Sequence, residues 1–95
     1  MTVGPDSRPR LASRARLRVD RRTGKTVLLY PERGLVLNSV GHATLELCNG
    51  ERTVEEITNL LAARYSSSMV ETVRAEVLSF LQQLADRGLL EEAAP

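Results

Sequence analysis

Hydrophobic positions along this chain follow two different periods, and the change between them divides it in two. Between residues 14 and 37 the pattern is that of strands. Arg16-Leu17-Arg18-Val19 alternates polar and apolar, as a half-buried strand requires. Asp20-Arg21-Arg22-Thr23-Gly24 supplies turn chemistry, with a glycine for positive φ. Lys25-Thr26-Val27-Leu28-Leu29-Tyr30 is apolar and β-branched and is bounded by Pro31, which predicts a second strand. Pro31-Glu32-Arg33-Gly34 is a further turn signal, and Leu35-Val36-Leu37 predicts a short third strand. The three form a meander too small to be stable alone.

Beyond residue 37 the period is helical. Asn38 or Ser39 caps a helix running to about Cys48, with Val40, Ala43, Leu45 and Leu47 loosely periodic and Asn49-Gly50 ending it. Thr53-Val54-Glu55-Glu56 is a capping box: the threonine oxygen accepts the Glu56 N–H, and the Glu56 carboxylate reaches back to Thr53. The helix it opens places Val54, Ile57, Leu60 and Leu61 on one face and ends near Tyr65. Ser66-Ser67-Ser68 is a linker, and Ser68 with Glu71 forms a second capping box. The third helix is the longest, about residues 69–87, and Gly88 stops it.

On that third helix Val70, Val73, Val77, Leu81 and Leu84 form a continuous stripe. Burying these side chains is worth on the order of 10 kcal/mol before entropy is set against it. Leu78 lies about 100° to one side of Val77, and Phe80 about 60° to the other with Met69 beyond it. A helix this widely apolar either sits deep in a core or presents a groove to a partner. The expected fold is α+β and winged-helix-like, a three-stranded antiparallel N-terminal sheet followed by a three-helix bundle. Residues 1–13, with Gly4, Pro5, Pro9 and no periodicity, are expected to be a disordered N-terminal arm, residues 14–90 the folded domain and residues 91–95 a disordered tail.

Composition narrows the class. Ninety-five residues make one domain, and 42% hydrophobic with 26% charged residues is a globular balance. Phe80, Tyr30 and Tyr65 are the only aromatics, so the core is aliphatic. Cys48 is the single cysteine, which excludes an intrachain disulfide and fits a reducing compartment. No apolar run approaches the roughly 20 residues that span a bilayer, and the N-terminus lacks the apolar stretch of a signal peptide. The expected location is cytoplasmic, without membrane contact.

Charge adds an asymmetry. The net charge is +1, yet residues 1–25 carry eight basic and two acidic groups, while the remainder carries five basic and ten acidic ones. Arg16, Arg18, Arg21 and Arg22 suit an acidic partner, or simply a solvated strand face. A winged-helix DNA-binding protein is the alternative reading. It would need a basic outer face on the third helix. That face carries Glu71, Glu76 and Asp86 against Arg74 and Arg87, so it repels phosphate, and nucleic acid is not the expected partner.

Catalytic chemistry is not visible. His42 and Cys48 stand six apart without a second pair of soft ligands, so no four-ligand metal site is expected and both read as structural. No phosphate-binding glycine loop, Ser/His/Asp set or Cys-x-x-Cys occurs. Glu55/Glu56 and Glu91/Glu92 lie at a helix N-terminus and in a tail rather than in a marked cleft. The chain is expected to be no enzyme and to act by binding.

Residues 28–90 resemble the PqqD family of pyrroloquinoline quinone biosynthesis. Leu28-Leu29-Tyr30-Pro31-Glu32-Arg33-Gly34-Leu35-Val36-Leu37-Asn38 is similar to the family's strand–turn–strand segment. Leu47-Cys48-Asn49-Gly50-Glu51-Arg52-Thr53-Val54-Glu55-Glu56-Ile57 is similar to its Leu-Cys-Asp-Gly…Thr-Val…Ile signature, with Asn49 in place of the usual aspartate. Phe80-Leu81, Leu84 and Gly88-Leu89 match its C-terminal pattern. Arg16-Leu17 fits the first strand, with Val19 where tryptophan is common, and Gly41-His42-Ala43 departs slightly from the family's small-residue pair. The resemblance implies a peptide chaperone without cofactors, a leader-peptide recognition element that binds the precursor peptide PqqA and presents it to the radical S-adenosylmethionine enzyme PqqE, which carries the iron–sulfur clusters. It also implies a groove between the third strand and the third helix. Carried onto this sequence, the peptide-binding residues are Leu35, Val36 and Leu37, facing Val73, Val77, Leu78, Phe80, Leu81 and Leu84. Which shoulder, Leu78 or Phe80, lines the groove is open from sequence. Short sheet edges and a loose arm also allow a homodimer by strand exchange.

Overall fold

The computed structural model describes residues 1–30, 33–65 and 69–93. The elements run β1 (Pro9–Leu11), β2 (Arg16–Val19), β3 (Thr26–Tyr30), β4 (Arg33–Leu37), α1 (Ser39–Glu46), α2 (Val54–Tyr65), α3 (Val70–Asp86) and β5 (Leu90–Glu92). The fold is α+β, with three helices and antiparallel sheets.

Alternation builds the meander as the sequence pattern requires. β2, β3 and β4 are antiparallel neighbours in that order. Their register sets Leu17, Leu28 and Leu35 in one cross-strand row, and Thr26 and Leu37 in the next on the same face. Leu28 has no exposed surface and Leu37 is buried, so this face is the core face. Val27, Leu29 and Val36 point the other way, and Val36 is 58% exposed. The Pro31-Glu32 part of the predicted turn lies outside the described residues, as do the Ser66–Ser68 linker and the Ser68 capping box.

Local chemistry also sets the helix ends. Asn38 rather than Ser39 caps α1, its Oδ1 accepting the Gly41 N–H at 2.7 Å. α1 stops at Glu46, two residues short of the expected end, where Leu47 and Cys48 donate to the Thr44 and Leu45 carbonyls in tighter turns. The Thr53 box forms in both directions, each bond 3.1 Å. α3 ends as a glycine-terminated helix should: Gly88 takes φ 72°, and Gly88 and Leu89 donate to the Ala85 and Leu84 carbonyls. Val54, Ile57, Leu61, Val77, Leu81 and Leu84 are fully or almost fully buried where α2 packs on α3. Val70 and Val73 are half-buried, so the stripe on α3 opens towards solvent at its N-terminal end.

The sheet layout and the termini depart from expectation. There are two sheets, because β1 pairs with β5, Pro9 opposite Glu92 and Leu11 opposite Leu90. Residues 1–13, expected to be a disordered arm, instead form a strap across the helices, and residues 91–93 of the expected tail lie in or beside β5. The physical reason lies in what the strap satisfies. The Ser7 and Pro5 carbonyls accept the first two N–H groups of α2, those of Val54 and Glu55, at 2.9 and 3.0 Å. With Thr53 taking the third, the exposed donors of that helix start are used up. Gln82 on α3 accepts the Val3 N–H at 2.8 Å and donates to the Met1 carbonyl at 3.0 Å. Ala12 donates to the Leu89 carbonyl, and Pro9 is fully buried.

Candidate functional site

The two flanks of α3 differ in what covers them. The Leu78 flank is occupied. Leu78 packs against the core, and Gln82, one turn on along the same flank, is held by the strap. The Phe80 flank is open. Phe80 is half-buried and meets β4 and α1 where they join: a methyl group on Gly41 would lie 3.5 Å from the Phe80 ring, 3.7 Å from Leu37 Cβ and 3.3 Å from Asn38 Oδ1. A cavity of about 310 Å³ opens beside it, between the start of α1 and Val77 and Phe80 of α3. On the outer side of Phe80 the α3 face along Ala75, Ser79 and Gln83 is open. A second cavity, of about 170 Å³, lies nearer the start of α3 between Val40, Leu61, Tyr65, Met69 and Val73. Together they make a trench along one flank of α3. β4, the outer strand of its sheet among the described residues, runs into the trench at Leu37.

The residues expected at the groove separate into roles. Leu37, Val77, Leu81 and Leu84 are buried in the core, and of these Val77 lines the trench. Leu35, Val73 and Phe80 are half-buried, Val73 and Phe80 at the trench. Val36 is exposed on the far face of β4, and Leu78 lies on the strap side. Asn38, Val40, Gly41, Tyr65 and Glu76 line the trench without having been singled out for it. The signal for Glu76 was present: on α3 it falls on the same side as Phe80 and Met69. Tyr65 and Met69 are 55% and 51% exposed, large apolar side chains without cover.

Other polar groups have local partners. His42 joins sheet to helix, with Nδ1 3.1 Å from the Thr26 hydroxyl and Nε2 2.9 Å from Glu46. The Cys48 thiol donates to the Thr44 carbonyl, and burial pushes its pKa up to about 12, far from a reactive thiolate. Arg74 bonds both Glu55 and Glu71; its hydrogen bonds hold the Glu55 carboxyl below its usual range, and the guanidinium is held above its own. The Thr53 N–H and hydroxyl do the same for Glu56. Among the described residues no cluster of three or more His, Cys, Asp or Glu could hold a metal ion, and no helix is long and apolar enough to cross a membrane. Arg16, Arg18, Arg21, Arg22 and Lys25 are exposed on the β2–β3 hairpin.

This architecture is that of a recognition element for ribosomally made, post-translationally modified peptides. The solved PqqD truncation of Methylobacterium extorquens PqqCD, described as a functional stand-alone element of this kind, superposes with a TM-score of 0.79 at 35% identity over 94% of each chain. TbiB1 in complex with the TbiA(beta) leader peptide superposes with a TM-score of 0.72 at 26% identity, over 90% of this chain and 99% of that one. The family model for coenzyme PQQ synthesis protein D matches residues 25–90. The PqqA binding protein of Bradyrhizobium diazoefficiens is 40% identical over 93 residues, covering 98% of this chain and 89% of its own. The chain belongs to the PqqD family.

Proposed function

We propose that this chain is a non-catalytic, cytoplasmic peptide chaperone of pyrroloquinoline quinone biosynthesis, which binds the precursor peptide PqqA and presents it to the radical S-adenosylmethionine enzyme PqqE. The observation that carries this reading is a strand edge, β4, unpaired among the described residues and leading towards an open trench on α3, in a chain whose relative is a PqqA binding protein. PqqA adds as a strand to β4. Main-chain pairing supplies affinity with little demand on sequence, and alternate side chains enter the trench and supply selection. Leu35, Val36 and Leu37 form the edge, Val73 and Phe80 the contact wall, and Val77, Leu81 and Leu84 the support beneath; Leu78 steadies the far flank.

Titration of the chain with PqqA peptide and with duplex DNA tests this. PqqA binding with a shallow salt dependence is expected. Duplex binding whose log affinity falls by about 0.9 per phosphate contact against log salt would sink the chaperone reading. Incubated with PqqA alone, the chain should leave the peptide's mass unchanged; loss of two hydrogens without PqqE would contradict a non-catalytic role. A second copy competes for the same β4 edge, so PqqA should shift any homodimer towards monomer in sedimentation.

A further inference from the structure

Glu76 borders both cavities of the trench. It is exposed, and among the described residues it pairs with no cation. The neighbouring acids on α3 are engaged: Glu71 with Arg74, and Asp86 with the Gln82 amide at 2.9 Å. Glu76 is thus a carboxylate with all its valence directed at solvent, set among Val40, Val73, Val77 and Phe80. In the free chain water solvates it at no cost. A segment lying in the trench strips that water away, and a carboxylate so covered is strongly unfavourable unless the segment brings its own donor. Glu76 therefore acts by exclusion as much as by attraction, rejecting segments that lack a cation.

The neighbouring cavity specifies a second feature. Its walls are Val40, Leu61, Tyr65, Met69 and Val73, with Glu76 part of the same lining. It has room for one large aliphatic or aromatic side chain, and Met69 can adjust to either. Side chains on one face of an extended segment recur every second residue, roughly 6–7 Å apart. One segment can therefore fill this cavity and meet Glu76 from positions two residues apart.

We infer that Glu76 and the cavity lined by Tyr65 and Met69 form a two-point reader, selecting a stretch of the precursor peptide in which a lysine or arginine stands two residues from a large apolar residue. This rests on the peptide-binding reading above and adds the chemistry that the trench selects.

Calorimetric titration of the full chain with PqqA peptide, and with PqqA whose lysines and arginines are replaced by glutamine, tests it. Glu76→Gln should weaken PqqA binding at least tenfold, and the glutamine-substituted peptide should lose as much on the unaltered chain but nothing further on Glu76→Gln. Glu51→Gln, an equal charge change outside the trench, should leave affinity unchanged. Glu76→Lys should bind PqqA worst and regain affinity for a peptide carrying glutamate at those positions. Equal PqqA affinity for the unaltered and Glu76→Gln chains, or additive losses in chain and peptide, overturns the reader and leaves the chaperone function standing. An unaltered chain that binds no PqqA overturns both.

Discussion

The two sheets of this molecule are both small and both antiparallel, but they end differently. In the β1–β5 pair, the first and last strands close on each other, and the bonding potential of the strap is spent internally: Ser7 and Pro5 on α2, Ala12 on Leu89, and Gly50 donating to the Pro9 carbonyl. In the β2–β3–β4 meander, only β3 has neighbours on both sides, and β4 leaves a row of backbone groups at the mouth of a trench. A short strand whose edge is used is scaffold, and a short strand whose edge is open is a template for another chain. The same contrast holds across α3: on the Leu78 flank the strap bonds Gln82, while the Phe80 flank faces the trench.

Removing residues 1–11 is the strongest test of that division. The deletion withdraws the acceptors of Val54 and Glu55, both Gln82 bonds and the partner of β5. Each bond is worth about 0.5–1.5 kcal/mol, so the loss with Pro9 burial comes to roughly 4–6 kcal/mol. For a domain of this size the melting temperature should fall by about 15 °C or more. Where the shortened chain remains folded, its PqqA affinity should stay within about twofold of the full chain's. A large affinity loss in a folded truncation would place part of the peptide site on the strap.

The meander test is a set of single prolines at Leu35, Val36 and Leu37. Strand N–H groups alternate between neighbour and open edge, so the three variants should fall into two classes. One class loses a β3 bond and about 1–3 kcal/mol of stability. The other stays folded and binds PqqA at least tenfold more weakly, as seen by calorimetry. Full-strength binding by every folded variant would rule out strand addition at β4.

Much of the scaffold was legible because it is written locally. Thr53 and Glu56 form their box within four residues, Gly88 ends its helix by its own conformation, Leu17 and Val19 announce a strand by alternation, and Val27 to Tyr30 announce one by an apolar, β-branched run ended by Pro31. The strap was not legible. A three-residue strand shows no period, Pro9 argues against strand, and its partner Glu92 lies at the other end of the chain. Strands of this length form only because packed helices bring the ends together. The flank of α3 that forms the trench was hidden for the same reason, since Leu78 and Phe80 look alike until the strap, bonded to Gln82, marks one flank. Glu76 was hidden by its type, because a glutamate on a helix face reads as solvated unless cavities are seen around it.

The flanks can be compared directly. Phe80→Asp places a charge at the trench wall and should weaken PqqA binding more than tenfold. Leu78→Asp places it against the core, on the flank where the strap bonds Gln82, and should lower stability by about 2 kcal/mol or more while the folded fraction binds normally. Thermal melts with titrations on both variants check this. Reversed phenotypes would mean that the peptide lies on the strap side.

The smallest effect concerns acid, at the point where strap and helix meet. The Arg74 hydrogen bonds hold the Glu55 carboxyl below its usual range, and the Thr53 N–H and hydroxyl hold that of Glu56. A carboxyl whose folded pKa is depressed contributes stability that is fully present above its unfolded value, about 4.3 for glutamate, and is lost as pH falls through the folded value. Stability should thus be flat in this respect from neutrality down to about pH 5, and decline gently below it. Glu56 is exposed and Glu55 half-buried, and salt should blunt the Glu55–Arg74 part more than the Thr53 box, whose bonds run to a neutral N–H and hydroxyl. The decline should be read locally, as faster hydrogen exchange at the Glu56 N–H before that of α3. Glu56→Gln keeps an acceptor for the Thr53 N–H without a titrating group, and should flatten that local response. An unchanged acid response in Glu56→Gln would place the sensitive group elsewhere on the strap side.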